Sequence, residues 1–307
     1  MSSNTLPTAG RPVKTTGLHT GEIKPGVAKV DPIIVVDQVS RTFGGLKAVD
    51  VEHLEIPRNA ITALIGPNGA GKTTLFNLLT GFDKPDAGSW TFDGKSLAAV
   101  PAFKVARMGQ VRTFQLTKAL GLLSVLDNMK LGAKGQKGES LARALFPWIW
   151  RKQEEEIEAR AMDILARFKL DAKVDDYAAS LSGGQRKLLE MARALMSDPA
   201  LVMLDEPMAG VNPALTQSLL EHILDLKTQG MTVLFVEHDM HMVRHIADWV
   251  IVMAEGKVVA EGDPHTVMQN QAVIDAYLGS HHDQDLGETE SEHVEAMKEL
   301  LEDDDDN

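Results

Sequence analysis

The chain has 307 residues, of which 44% are apolar and 24% charged, with a formal net charge of −13 and no cysteine. This composition is typical of a globular protein with a sizeable core, and the lack of cysteine excludes disulfide bonds, cysteine nucleophiles and iron–sulfur clusters. No apolar run approaches the roughly 20 residues that a membrane span requires. The acidic balance argues against nucleic acid as a partner, because non-specific binding to phosphates needs an excess of basic side chains.

The negative charge is concentrated at the C-terminal end. Residues 280–307 contain twelve Asp or Glu and one Lys, whereas residues 1–29 carry a net charge of +3. Blocks of like charge and polar stretches without periodicity are typical of solvated chain. We therefore expect a disordered N-terminal tail over residues 1–30, one folded domain over residues 31–279, and an acidic tail over residues 280–307.

The folded part begins with runs of β-branched and apolar residues that predict strands. These runs are Ile33–Val36, Val39–Phe43, Val49–Ile56 and Ile61–Ile65. The pair Gly44-Gly45 predicts a turn between the second and third runs. A helix is expected over Lys72–Thr80, with Gly81 at its C-terminal end.

Between the last of these strands and that helix lies a glycine-rich turn, Gly-Pro-Asn-Gly-Ala-Gly-Lys-Thr at residues 66–73. Two glycines four residues apart, followed by Lys-Thr, form the P-loop pattern, whose backbone N–H groups curl around phosphate. Lys72 supplies a positive charge for the phosphates and the Thr73 hydroxyl is a magnesium ligand. A turn that only connects strand to helix explains neither Lys72 nor Thr73. The expected nucleotide-binding residues are Gly66, Pro67, Asn68, Gly69, Ala70, Gly71, Lys72, Thr73 and Thr74.

Residues from about 116 to 181 are mostly helical in pattern and interrupt the α/β core. The segment Leu-Ser-Gly-Gly-Gln at residues 181–185 then precedes a helix over Arg186–Met196. Ser182 is a suitable N-cap, and Gly183 and Gly184 expose N–H groups at the helix start, which favours an anion. Helix capping alone accounts for Ser182 but not for the two glycines and Gln185.

The next apolar run, Leu201–Leu204, ends in Asp205 and Glu206. A parallel strand beside the P-loop strand would bring Asp205 to bound Mg²⁺, with Glu206 placed to polarise water. Alone, an apolar run that ends in two carboxylates is equally a strand that meets a loop. Because the P-loop precedes it on the same chain, we interpret this segment as the second half of one site.

Farther along, Thr232–Glu237 predicts a buried strand, and Trp249–Met253 with Lys257–Ala260 predicts a hairpin around Glu255-Gly256. His238, His241 and His245 lie in between. A metal site is one interpretation, but the spacing specifies no further ligand, and an exposed helix face explains His241 and His245.

The P-loop, Leu-Ser-Gly-Gly-Gln and Asp-Glu-Pro together resemble the nucleotide-binding subunit of ABC transporters over about residues 34–279. The resemblance implies an α/β P-loop NTPase (RecA-like) core, an N-terminal antiparallel β subdomain and an inserted α-helical subdomain over about 116–181. It also implies ATP hydrolysis, with ATP and Mg²⁺ bound.

The resemblance assigns individual roles by motif position. Phe43 would stack on adenine, Gln115 would bind Mg²⁺ and couple to the membrane subunit, and His238 would contact the γ-phosphate. The implied catalytic residues are Glu206, His238, Gln115 and Lys72. The implied magnesium ligands are Thr73, Gln115 and Asp205. The second nucleotide contact would be made by Ser182, Gly183, Gly184 and Gln185, across a head-to-tail dimer.

The family's architecture implies further partners. These are a second ATPase subunit (identical or paralogous), separate transmembrane permease subunits and, indirectly, a solute-binding protein. The chain would then be peripheral, on the cytoplasmic face of the plasma (inner) membrane.

Three segments resemble the ATPase subunits of branched-chain amino-acid importers: residues 111–115, residues 209–213 and residues 273–279. The last segment also resembles the ATPase of lipopolysaccharide export, which is the alternative transporter. Asn212, where an aspartate is common in the family, favours the importer. A soluble ABC ATPase that acts on ribosomes or DNA is a second alternative, but the motif set occurs once and sustained heptads are missing.

Overall fold

The computed structural model describes residues 24–97, 100–113, 119–139 and 147–279. Its strands are β1 (Pro32–Phe43), β2 (Leu46–Pro57), β3 (Ile61–Ile65), β4 (Ala87–Phe92), β5 (Lys95–Ser96), β6 (Gln110–Arg112), β7 (Leu201–Asp205), β8 (Thr232–Val236), β9 (Trp249–Ala254) and β10 (Lys257–Gly262). Its α-helices are α1 (Lys72–Leu79), α2 (Ala102–Met108), α3 (Val125–Lys130), α4 (Pro147–Arg167), α5 (Gly183–Leu195), α6 (Pro213–Thr228), α7 (Met240–Ile246), α8 (Pro264–Met268) and α9 (Gln271–Gly279).

The first sheet is antiparallel, in the order β2-β1-β4-β5. The two strands predicted over residues 33–43 are one continuous strand, which corrects the sequence prediction. The sequence pattern divides this strand because its middle is irregular. Gln38 has φ +52°, and the register with β4 shifts between Asp37 and Ser40. A bulge of this kind interrupts the alternation of apolar residues without ending the strand. The turn at Gly44-Gly45 is present as predicted.

The second sheet has the order β10-β9-β3-β8-β7-β6, and only β10 is antiparallel to its neighbour. Both faces are covered, and β3, β7 and β8 are accordingly buried throughout and mostly apolar. Alternate residues of these strands belong to two separate cores. Val202 and Leu204 pack on the helical side, whereas Leu201 and Met203 pack on the side of α1 and the first sheet.

The described residues between 119 and 181 contain helices and short connections, as the sequence predicts. Helices α3, α4 and α5 pack together there. Phe168 and Leu189 are both buried in the helical-side core, so this part of the chain shares that core with the second sheet.

The end of the predicted disordered tail is instead fixed to the domain. Lys29 Nζ lies 2.7 Å from Glu261 Oε2, and both side chains are buried. Glu261 also accepts hydrogen bonds from the Val27 backbone N–H and the Trp249 indole N–H. The expectation of disorder fails for these residues because local composition cannot reveal an ion pair between positions 232 residues apart.

We expect Glu261→Ala to lower the free energy of unfolding by about 3–5 kcal/mol, because it leaves the buried Lys29 ammonium without a counter-charge. Chemical denaturation monitored by circular dichroism measures the change. Glu158→Ala is the control, since Glu158 pairs with Lys130 at the surface and its loss costs less than about 1 kcal/mol. Equal losses for both variants would contradict the role given to Glu261.

Candidate nucleotide-binding and hydrolysis site

Part of the predicted site lies at one edge of the second sheet. The P-loop follows β3, Asp205 ends β7, and Glu237 and His238 follow β8. The strand that ends in Asp205 does not lie beside the P-loop strand, which corrects the sequence prediction, because β8 lies between β3 and β7. All three strands are parallel, so their carboxyl ends still meet at the same edge. In open α/β sheets, ligands bind outside this edge.

The P-loop curls tightly against two neighbouring strands. Gly66 (φ +146°) and Gly71 (φ +96°) adopt backbone conformations that other residues rarely take. A Cβ atom would lie 2.0 Å from the Met253 carbonyl oxygen at Gly66, and 2.2 Å from the Ala48 carbonyl oxygen at Gly71. Glycine is therefore required at both positions by close approach as well as by conformation.

Lys72, the first residue of α1, points back into this curl. Its ammonium donates to the carbonyl oxygens of Gly66 (2.6 Å) and Pro67 (2.9 Å) and the residue is buried. Burial lowers the pKa of Lys72 to about 8, although the negative charges of Glu206 and Asp205 oppose this shift. A buried ammonium that is only partly neutralised attracts a further anion, such as a phosphate.

The residues present fit a magnesium nucleotide. The P-loop has its N–H groups at the start of α1, and Thr73 is exposed beside Lys72. Hydroxyl and carboxylate oxygens, as supplied by Thr73 and Asp205, are the donors that Mg²⁺ prefers.

Asp205 has a partner that the sequence did not reveal. Arg112, on the adjacent strand β6, places one guanidinium nitrogen 2.6 Å from Asp205 Oδ2 and another 2.6 Å from Asn77 Oδ1 on α1. Both charged side chains of the pair are buried. Arg112 thus fixes the carboxylate relative to the P-loop helix.

Glu206 and His238 are brought together as predicted for a shared site. Glu206 Oε1 lies 3.0 Å from His238 Nε2. Glu206 has φ +46°, a left-handed conformation that is unfavourable for a residue with a side chain. Strain of this kind, of order 1–3 kcal/mol, persists only where surrounding contacts impose it, and it is typical of functional sites.

Glu237 is a third carboxylate at this edge, and sequence reasoning treated it only as the end of a strand. It is buried and accepts hydrogen bonds from the backbone N–H groups of Met208 (2.8 Å) and His238 (3.2 Å). Burial raises the pKa of Glu237 to about 7, and the two hydrogen bonds oppose the shift.

Residues 182–185 form a different part of the surface. The Ser182 hydroxyl accepts from the Gln185 N–H (3.2 Å) and Gln185 Oε1 accepts from the Ser182 N–H (3.0 Å), a reciprocal capping box. Ser182 and Gly183 are exposed. No hydrogen bond described for these four residues reaches the P-loop, so the two predicted phosphate contacts remain separate within one chain.

The remaining residues singled out by the sequence lie at separate places in the chain. Phe43 is 47% exposed at the end of β1, with the Arg41 guanidinium 4.6 Å from its ring centroid. Gln115 lies outside the described residues. His241 and His245 occupy exposed positions of α7. Asn212 is the N-cap of α6, where its side chain accepts from the Leu215 N–H.

Residues 49–209 match the sequence profile of ABC transporters. The matched stretch contains the P-loop, residues 182–185 and the Asp205-Glu206 pair. The chain belongs to the ABC transporter family. A second match, over residues 257–283, is to a segment described as branched-chain amino acid ATP-binding cassette transporter.

Named ABC relatives cover the same region. The chain is 42% identical over 248 residues to the probable branched-chain amino acid transport ATP-binding protein LivG of Archaeoglobus fulgidus, covering 81% of the chain and 96% of the relative. It is 38% identical to the high-affinity branched-chain amino acid transport ATP-binding protein BraF of Pseudomonas aeruginosa, covering 81% and 98%.

Solved ABC structures share the fold. A nucleotide-free ATP-binding cassette from an ABC transporter is 37% identical, with a TM-score of 0.70 over 80% of this chain and 98% of that one. The ADP conformation of an ATP-binding cassette has 36% identity and a TM-score of 0.69, over 81% of this chain and 99% of that one. A dimeric bacterial cassette at 24% identity and TM-score 0.63, over 75% of this chain and 98% of that one, shows the fold alone.

We expect the Glu237→Gln substitution to change how stability depends on pH in the nucleotide-free protein. Folded Glu237 keeps its proton up to about pH 7, whereas in the unfolded chain it ionises near its ordinary value of 4.5. Between these pH values the folded state binds more protons, so this group makes the free energy of unfolding fall as pH rises. Glu237→Gln removes that contribution.

Urea denaturation at pH 5 and pH 7 measures the effect. The stability of Glu237→Gln relative to the native chain should increase from the lower to the higher pH, whereas the exposed Glu221→Gln should show no such trend. A relative stability that is the same at both pH values would show that Glu237 is not protonated in the folded state.

Proposed function

We propose that the chain is the ATP-hydrolysing subunit of an importer of branched-chain amino acids. The observation that supports this proposal is the contact between Glu206 and His238 beside Lys72 of the P-loop, which is the arrangement expected of a base at a phosphate site. The amino-acid class is supported by the match over residues 257–283 and by the names of relatives near 40% identity.

We assign each residue of the site a separate role in phosphoryl transfer. Lys72 and the P-loop N–H groups hold the phosphates. Thr73 and Asp205 would hold Mg²⁺, which when bound would supply positive charge for the phosphate oxygens. Glu206 accepts the proton of the attacking water. His238 lies 3.0 Å from that carboxylate. We assign His238 the role of orienting Glu206 and, when nucleotide is bound, of contacting the γ-phosphate.

The separation of residues 182–185 from the P-loop supports a head-to-tail dimer. Ser182 and Gly183 are exposed at the start of α5 and make no hydrogen bond to their own P-loop. In such a dimer they would contact the nucleotide held by the partner, and Phe43 would stack on the adenine held by its own chain. Nucleotide binding and association would then be coupled.

A groove beside the site is the proposed contact with the permease. It has a volume of about 410 Å³ and lies between β6 and the loop that follows α3. Its charged lining residues are Arg107, Arg112, Lys134, Glu190 and Arg193. The excess of basic side chains suits an acidic segment of a membrane subunit. Thr113 also lines it, so the strand that leads to Gln115 borders the groove.

Membrane association would therefore be peripheral. In the described part of the chain, none of the helices has the length and hydropathy that a membrane crossing needs. The proposed transporter accordingly includes separate permease subunits and a solute-binding protein.

We expect Glu206→Gln to retain ATP binding and to lower turnover by about 10²–10⁴-fold, the usual contribution of a positioned base. Steady-state phosphate release measures turnover, and equilibrium binding of a fluorescent ATP analogue measures affinity. The control is Glu221→Gln, at an exposed position of α6. Hydrolysis by Glu206→Gln at the native rate would show that another group is the base.

Purification from native membranes distinguishes the alternatives. A branched-chain importer predicts copurification with permease subunits and a solute-binding protein. Copurification with a lipopolysaccharide-export complex, or sedimentation with ribosomes, would contradict the importer.

A further inference from the structure

The backbone turn over residues 206–209 carries the catalytic carboxylate and leads into the exposed loop at residues 209–212. Its own hydrogen bonds are few: Glu206 N–H donates to Val236 O, and Ala209 N–H donates to Glu206 O. Glu206 has the strained φ of +46° in this turn. Contacts from outside the turn must therefore hold it in place.

One such contact is Lys187, on α5. Its ammonium donates to the carbonyl oxygens of Glu206 (3.3 Å), Pro207 (3.0 Å) and Ala209. An ammonium has three donors, and here all three meet the same turn. Lys187 is half-buried, and burial lowers its pKa although Glu237, Glu190 and Glu206 act in the opposite direction.

The other contact is Glu237, which holds the N–H side of the same turn. It accepts from Met208 N–H and from His238 N–H, so one buried carboxylate connects the turn to the histidine that contacts Glu206. The two side chains thus stabilise the turn in complementary ways. Lys187 donates to its carbonyl oxygens, and Glu237 accepts from the N–H groups of Met208 and His238.

Lys187 is also tied to the second phosphate contact. It lies two residues after Gln185 on the first turns of α5, where the capping box between Ser182 and Gln185 keeps the helix start rigid. A shift of this helix start therefore moves the ammonium that holds the carbonyl oxygen of Glu206.

We propose that Lys187 and Glu237 are positioning residues that set the conformation of residues 206–209, and that Lys187 makes the placement of Glu206 depend on the position of α5. The proposal rests on the proposed function, in which Glu206 is the base and residues 182–185 contact a nucleotide. Ligand contact at residues 182–185 is then transmitted to the hydrolysis site of the same chain through one side chain.

The test compares Lys187→Met, which removes the donors at similar length, with Lys187→Arg, which keeps donors. Lys187→Met should lower kcat for ATP by about 10- to 100-fold, the range expected when a catalytic group is misplaced, with KM changed less than about threefold. Lys187→Arg should recover most of the lost kcat. The control is Lys130→Met, which removes an exposed lysine of α3 that is paired with Glu158.

A double-mutant cycle with Glu206→Gln separates positioning from general damage. If Lys187 acts through Glu206, Lys187→Met should change the single-turnover rate of Glu206→Gln by less than about twofold. Full additivity, an effect confined to KM, or a native kcat in Lys187→Met would each overturn the proposal while leaving the role of Glu206 intact. A native rate in Glu206→Gln alone would instead overturn the proposed function, and this inference with it.

Discussion

The site is organised around one buried positive charge. Lys72 lies inside the curl of the P-loop backbone, where two carbonyl oxygens and two nearby carboxylates partly compensate for its lost hydration. Placing it there requires glycine where the curl touches Met253 and Ala48, and it requires parallel strands that end at one edge. An apolar sheet buried on both faces meets the second requirement, so the core and the chemistry depend on the same strands.

The elements with local signals were predictable from the sequence. The P-loop, the strand that ends in Asp205-Glu206 and the hairpin around Glu255-Gly256 each combine an apolar run with a defined turn, and these signals lie within ten residues or so. The role of His238 came only from the family resemblance, and its contact with Glu206 was not expected from the sequence.

Contacts between distant residues were not predictable. Arg112 meets Asp205 across 93 residues. Lys187 meets the turn after Glu206 from a helix that the sequence predicted, but no sequence signal indicated this contact. A basic residue on a strand or helix carries no local sign of its partner, so only the fold shows that these side chains position the carboxylates. Lys29 is a similar case, since its polar surroundings in sequence hide a buried ion pair with Glu261.

The strained conformation of Glu206 and the exposed start of α5 are structurally linked. Glu206 is held in an unfavourable conformation by contacts from α5 and from the end of β8, and α5 begins at the surface that would face a second subunit. Lys187 therefore connects the exposed start of α5 directly to the backbone of Glu206. In the proposed dimer this connection would allow assembly to govern hydrolysis, so that ATP would not be consumed without transport.

The most direct test is ATP hydrolysis by the complete transporter in lipid vesicles, measured with and without leucine, isoleucine or valine in the presence of the solute-binding protein. Hydrolysis should increase when any of these amino acids is bound, and the increase should vanish when the subunit carries Glu206→Gln. Hydrolysis that responds to none of the three would contradict branched-chain amino-acid import by this subunit.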